Sequence, residues 1–151
     1  SDVCSSDLTD GEWQQKRSVS HFALRTLNPE NCAEFYCNTL GLTMANHADN
    51  DKNYYVSDGR ISLVLIPWDI TDFAGTGISR IGPDHVAFKV ESYQSFKEDY
   101  ISMIERNQTL TAPAFGVGPE GRNRLALMER SIPYAQHFMS DLENVVLAVH
   151  E

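Results

Sequence analysis

The stretches SVSHFALRT (18–26) and GPDHVAFKV (82–90) decide how this chain is read. Aligned on His21 and His85, each runs histidine, apolar, alanine, apolar, base: His21-Phe22-Ala23-Leu24-Arg25 against His85-Val86-Ala87-Phe88-Lys89. The register persists beyond them, because Glu34 falls on Glu98 and Tyr36 on Tyr100 at the same spacing. Recurrence of one pattern over such a distance points to an internal duplication.

Both stretches read as strands. Side chains alternate faces along a strand, so each histidine shares a face with the alanine two residues on and with the base two further. The small alanine leaves room beside the ring. With the copies related by a pseudo-two-fold axis, both rings converge on one concave surface. A histidine opening a strand is ordinarily a hydrogen-bonded structural residue; its presence in both copies points to a site.

Working outward, the length of 151 residues and an apolar fraction of 42% suit one domain with a packed core. The net charge of -9 comes with no basic cluster that could neutralise phosphates, which argues against nucleic acid as a partner. No run of about 18 apolar residues is present, nor a basic start followed by an apolar core, so neither a membrane span nor a signal peptide is read and a cytoplasmic location is expected. Cys4, Cys32 and Cys37 are too few and wrongly spaced for a disulfide framework or a zinc knuckle, and read as reduced packing residues. Residues 1–17, small and polar without a period, read as a disordered leader or linker that adds nothing to stability. The opening SDVCSSDL resembles a recurrent translation of sequencing-adapter DNA at the ends of metagenomic reading frames and is set outside the fold.

Residues 18–150 divide into two modules, 18–67 and 82–150. After the first strand, Asn28-Pro29-Glu30 supplies a helix N-cap, a proline in the first turn and an acid there; Cys32, Phe35, Tyr36, Thr39 and Leu40 continue at helical spacing and Gly41 ends the helix. LTMANHA (42–48), NYYVS (53–57) and RISLVLIP (60–67) read as three strands, the last two joined by Asp58-Gly59. The segment 67–81 is a long connector. In the second module GPDHVAFKV is the strand and a helix starts at Ser92 or Ser95. RLALMER (124–130), AQHFMS (135–140) and NVVLAVH (144–150) are the expected last three strands. Gly116-Val117-Gly118-Pro119-Glu120-Gly121 matches the dinucleotide GxGxxG by letter, but RLALMER after it reads as a strand rather than a helix, so the segment 111–121 is expected to be a mobile loop. The fold class is therefore α+β, with two βαβββ modules forming a cupped mixed sheet.

HFALRTLNPENCAEFYCNTLGL, GPDHVAFKV and the closing DLENVVLAV (141–149) together resemble the vicinal oxygen chelate superfamily, which includes glyoxalase I, bleomycin- and fosfomycin-resistance proteins, methylmalonyl-CoA epimerase and extradiol dioxygenases. The resemblance covers about residues 18–150. It implies a divalent metal (iron, manganese, zinc or nickel) held in the cup by His21 and His85, with a carboxylate from the last strand of each module. It also implies a small oxygen-rich substrate, and modules that pair within one chain or across a homodimer. This chain departs from the pattern. Ala148 stands at the closing carboxylate position, and ISLVLIP offers only Ser62 and apolar residues. Two histidines without a carboxylate hold a divalent ion poorly.

The substitutes are His150, on the face of Ala148 but about 7 Å along the strand, and His137 on the preceding strand, which doubles as a substrate-binding candidate. Tyr54, Tyr55, Arg25 and Lys89 face the cavity according to register, and Trp68 and Phe73 wall it; Tyr54, Trp68 and His137 are the expected substrate contacts. Three functions stay open. One is a metal-dependent lyase, isomerase or dioxygenase with a degenerate ligand set. Another is a metal-free small-molecule binding protein of the bleomycin-resistance type. The third is the non-catalytic half of a two-domain dioxygenase-like protein.

Overall fold

The computed structural model describes residues 16–151. The expectation for a leader falls largely on residues 1–15, outside the described residues. Of its last two residues, Arg17 is tied down, with its guanidinium 2.9 Å from Glu91 and 2.7 Å from Asp99.

The first module has the element order read from the sequence: β1 (Ser18–Thr26), α1 (Pro29–Leu40), β2 (Thr43–Met44), β3 (Tyr54–Ser57) and β4 (Ser62–Pro67). Its helix begins and ends on the residues expected to do so. The Asn28 side chain accepts from the Asn31 N–H, and Gly41 takes the left-handed conformation that lets its N–H reach back to the carbonyls of Tyr36 and Cys37. The second module is β5 (Gly82–Lys89), α2 (Tyr93–Arg106, capped by Ser92), a single 3-10 turn at Gln108–Leu110, α3 (Gly118–Ser131), β6 (His137–Ser140) and β7 (Val146–His150).

One element corrects the sequence reading. RLALMER is the body of helix α3, not a strand, so the sheet has seven strands, in the order β2-β3-β4-β1-β5-β7-β6. The alternation of Leu125 and Leu127 suggests a strand, but Leu127, Met128 and Ile132 are the residues that become buried, and that spacing is helical. Arg, Leu, Ala, Met and Glu are also strong helix formers without a β-branched residue among them. Pro119 in the first turn starts the helix. The glycine-rich letters thus do open a helix, contrary to expectation. They still make no dinucleotide fingerprint, because residues 111–117 contain no strand to lead into it.

At the middle of the sheet β1 and β5 run antiparallel, while β1 is parallel to β4 and β5 to β7. His21 lies opposite Ala87 and Ala23 opposite His85, so Phe22 and Val86 face each other at the centre of a pseudo-two-fold relation. One face of the sheet (Leu65, Val56 and Leu24 among others) is covered by α1 through the fully buried Ala33. The other, which carries His21, Ala23, Val64, Ile66 and Val146, is covered by α3 through Met128 and Ile132, with Phe115, Tyr134 and Phe138 packed around them. Of the two helices of the second module, α3 lies over the histidine face. Cys32 and Cys37 are free thiols, as read. No helix among the described residues is long and apolar enough to cross a membrane.

Candidate functional site

The two histidines are presented by the same backbone device. On β1 the pairing with β5 slips between Val19 and His21, leaving Ser20 as an extra residue; on β5 it slips between His85 and Pro83, leaving Asp84 extra. Each bulge places one unpaired residue directly ahead of a histidine and turns its side chain toward that ring. Ser20 Oγ lies 2.8 Å from His21 Nδ1, and Asp84 Oδ2 lies 2.5 Å from His85 Nδ1.

Around the His85 half a charged network closes. The Asp84 carboxylate accepts from Nδ1–H of His85 and from the Arg25 guanidinium at 2.8 Å, with Arg124 at 3.6 Å. Burial alone would raise the Asp84 pKa; the hydrogen bonds from His85 and Arg25 and the charge of Arg124 override it and hold the carboxyl down at about 2. With Nδ1 engaged, Nε2 of His85 faces the Tyr134 hydroxyl at 2.5 Å, and the His85 side chain has no exposed surface. Burial, and secondarily the charge of Asp84, push the Tyr134 phenol above its ordinary pKa, so it keeps its proton at the hydrogen bond it shares with the ring.

The His21 half contains neither a carboxylate nor a guanidinium partner. Ser20 Oγ is also 2.8 Å from His150 Nε2, so a His21-Ser20-His150 chain runs toward the end of β7. Burial, then repulsion from His150 and His85, lowers the His21 pKa to about 4.

Tyr134 joins the halves. Its ring stacks on His21 with centroids 4.6 Å apart and stands 6.0 Å from His85, 6.5 Å from His150 and 6.4 Å from Tyr55. Tyr55 in turn donates to Asp51 at 2.5 Å.

Of the residues singled out in the sequence, the structure brings together His21, His85 and His150, with Ala148 fully buried on the same face, opposite Ala87 and Phe138. It separates the others. His137 pairs with Val149 and turns to the opposite face, where it stacks on Tyr93 at 3.4 Å, so it does not reach the other histidines. Tyr54 also points away, into the cluster around α1, and its neighbour Tyr55 takes the histidine face: the register is one residue off. Trp68 folds onto its own connector, donating to the Ile78 carbonyl beside Phe73. Ser20, Asp84, Arg124 and Tyr134 escape the sequence reading. The first two stand at equivalent positions directly before the repeated histidines, a signal the alignment contains; Tyr134 sits in the short link between α3 and β6, where no periodicity marks it.

A pocket of about 340 Å³ opens beside Asp84, lined by Arg25 and Arg124 and by the apolar Ile78, Pro83 and Val146.

No protein-family model matches the sequence, and no curated protein matches it. Solved structures do match by shape. A hypothetical protein from Bacillus halodurans C-125 superposes with a TM-score of 0.54 at 17% identity, over 89% of this chain and 94% of that one. A methylmalonyl-CoA epimerase in complex with methylmalonyl-CoA and NH4+ superposes with a TM-score of 0.50 at 14% identity, over 89% and 94%. The chain shares the fold of these structures.

The ligand set for a divalent ion implied by the sequence resemblance is His21, His85 and a carboxylate at position 148. They do not fit one. Both nitrogens of His85 are engaged, by Asp84 and Tyr134, and His21 Nδ1 and His150 Nε2 share Ser20. The room between the three rings is taken by the phenol, Ala148 supplies no donor, and among the described residues no three His, Cys, Asp or Glu side chains are placed to share an ion.

Proposed function

We propose that this chain is a small-molecule binding protein on the vicinal oxygen chelate fold that works without a metal. The observation that carries the reading is Tyr134, stacked 4.6 Å from His21 and hydrogen-bonded to His85, in the space that a shared ion would need. Replacing the phenol by an ion would strip the buried His85 of a 2.5 Å hydrogen bond and leave two histidines with no carboxylate to balance a double positive charge. The binding half of the reading rests on the pocket beside Asp84, whose volume lies at the small end of the range for ligand sites, about 300–1,000 Å³.

Metal analysis of the untagged protein after mild dialysis tests the metal-free half. Iron, manganese, nickel and zinc are expected at trace level only, and added metal is expected to leave the melting temperature unchanged. One tightly held ion per chain, lost in His21→Ala, would overturn the reading in favour of a metal enzyme.

A further inference from the structure

We propose that the pocket beside Asp84 is a binding site for a small organic monoanion with an apolar body, its carboxylate taken by Arg124 with Arg25 behind it. The inference rests on the small-molecule binding reading above and names the ligand class.

Arg124 is the central observation. Its side chain comes from α3 and is only 18% exposed, yet among the described residues it makes one hydrogen bond, from Nη2 to the Asp84 backbone carbonyl at 3.3 Å. Its distance to the Asp84 carboxylate, 3.6 Å, is too long for a hydrogen bond. That carboxylate is already committed to Arg25 and His85. A guanidinium has five N–H donors in a fixed fork; here one is used, and Arg124 lines the pocket. The Phe115 ring lies 5.8 Å from the Arg124 guanidinium carbon, within reach of a cation–π contact. Burial lowers the Arg124 pKa, and the neighbouring Asp84 carboxylate offsets this only in part.

Charge and shape set the ligand class. Arg25 and Arg124 against Asp84 leave one positive charge at the pocket, which suits a monoanion, whereas a dianion would be repelled by Asp84. The planar fork matches a carboxylate. Away from the charges the wall is Ile78, Pro83, Val145 and Val146, which provides for a ring or branched chain of a few carbons. Asp84 thereby serves two ends: it orients His85 from one side and presets the two arginines from the other.

Titration calorimetry with benzoate, benzamide and benzylamine as probes, in buffer with chelator and again with added manganese or zinc, tests the proposal on the full chain. Benzoate is expected to bind in the presence of chelator, and benzamide and benzylamine at least about tenfold more weakly, the scale of one charge-assisted hydrogen bond. Arg124→Gln, which keeps the stem and loses the charge, should weaken benzoate by a similar factor, and Val145→Phe, which narrows the pocket without touching the arginines, should weaken it as well. Equal binding of benzoate and benzamide, or benzoate binding unchanged in both variants, overturns the site. No benzoate binding in a protein that also takes up no metal overturns the anion site alone. Benzoate binding that appears only with added metal overturns the metal-free reading with it.

Discussion

Ser20 and Asp84 hold equivalent places, each bulged out of its strand ahead of a histidine and each bonded to that histidine's Nδ1, at 2.8 and 2.5 Å. Backbone and histidine are shared; the side chain before the histidine is not. A carboxylate there recruits Arg25 and Arg124 and builds a buried ionic cluster, while a hydroxyl there builds a hydrogen-bonded chain to His150, and burial leaves His21 hard to protonate. A duplicated fold can thus keep its geometry and separate the chemistry of its halves by one residue type at one position.

The most severe way to break the comparison is to make the halves alike. Asp84→Asn removes the counter-charge of two little-exposed arginines, at 10% and 18% exposure, and should destabilise the chain by about 3 to 5 kcal/mol in urea denaturation. The acid limb should change with it. The folded Asp84 pKa, about 2, lies below its ordinary 3.8, so its stabilisation is present above 3.8 and lost as pH falls through 2. The parent should lose stability in that window, and the asparagine variant should show a flatter profile there.

The next effect belongs to the other half. His21 has a folded pKa of about 4 against an ordinary 6.5, so the unfolded chain takes up a proton first as pH falls. The associated stability is present above 6.5 and lost on the way down to 4, by up to about 2 kcal/mol once partial exposure is allowed for. Stability measured across that range, in parent and in His21→Gln, checks it: the variant should lack the slope, and an equal slope in both would contradict the assignment.

Tyr134→Phe asks whether the bridge between the halves matters through its ring or its hydroxyl. Loss of the hydroxyl strands the buried Nε2 of His85 without a partner and should lower stability by about 1 to 2 kcal/mol with the fold intact. Ser20→Ala should have the smallest effect, about 0.5 to 1.5 kcal/mol, because His150 is half-exposed and can turn to water. A Ser20 effect larger than that of Asp84→Asn would reverse the account of the two halves.

Much of this architecture is legible in the sequence because it rests on local rules. The repeat sets β1 and β5, the Asn28-Pro29 start and Gly41 stop set α1, and alternation puts His21 and His85 on one face. Helix α3 is not, because two leucines spaced by two satisfy a strand pattern until Met128 and Ile132 are counted with them. The site is legible only in part. Strand bulges leave no mark on the alternation, so Ser20 and Asp84 pass as ordinary strand residues. Strands as short as β3 and β6 fix a face only through pairing, so alternation alone puts Tyr54 and His137 on the wrong side. Tyr134 reaches the histidines through tertiary packing alone.

Tyr134, whose ring lies within 6.5 Å of the His21, His85 and His150 rings, is what argues against a metal among them. Nuclear magnetic resonance of the histidine side chains, titrated with manganese and then zinc near neutral pH, tests this most directly. The account predicts that the His21 and His85 ring signals neither broaden with manganese nor shift with zinc, while half-exposed His47, in the first module, serves as the reference for weak surface binding. Selective broadening of both His21 and His85 at less than one manganese per chain would contradict it.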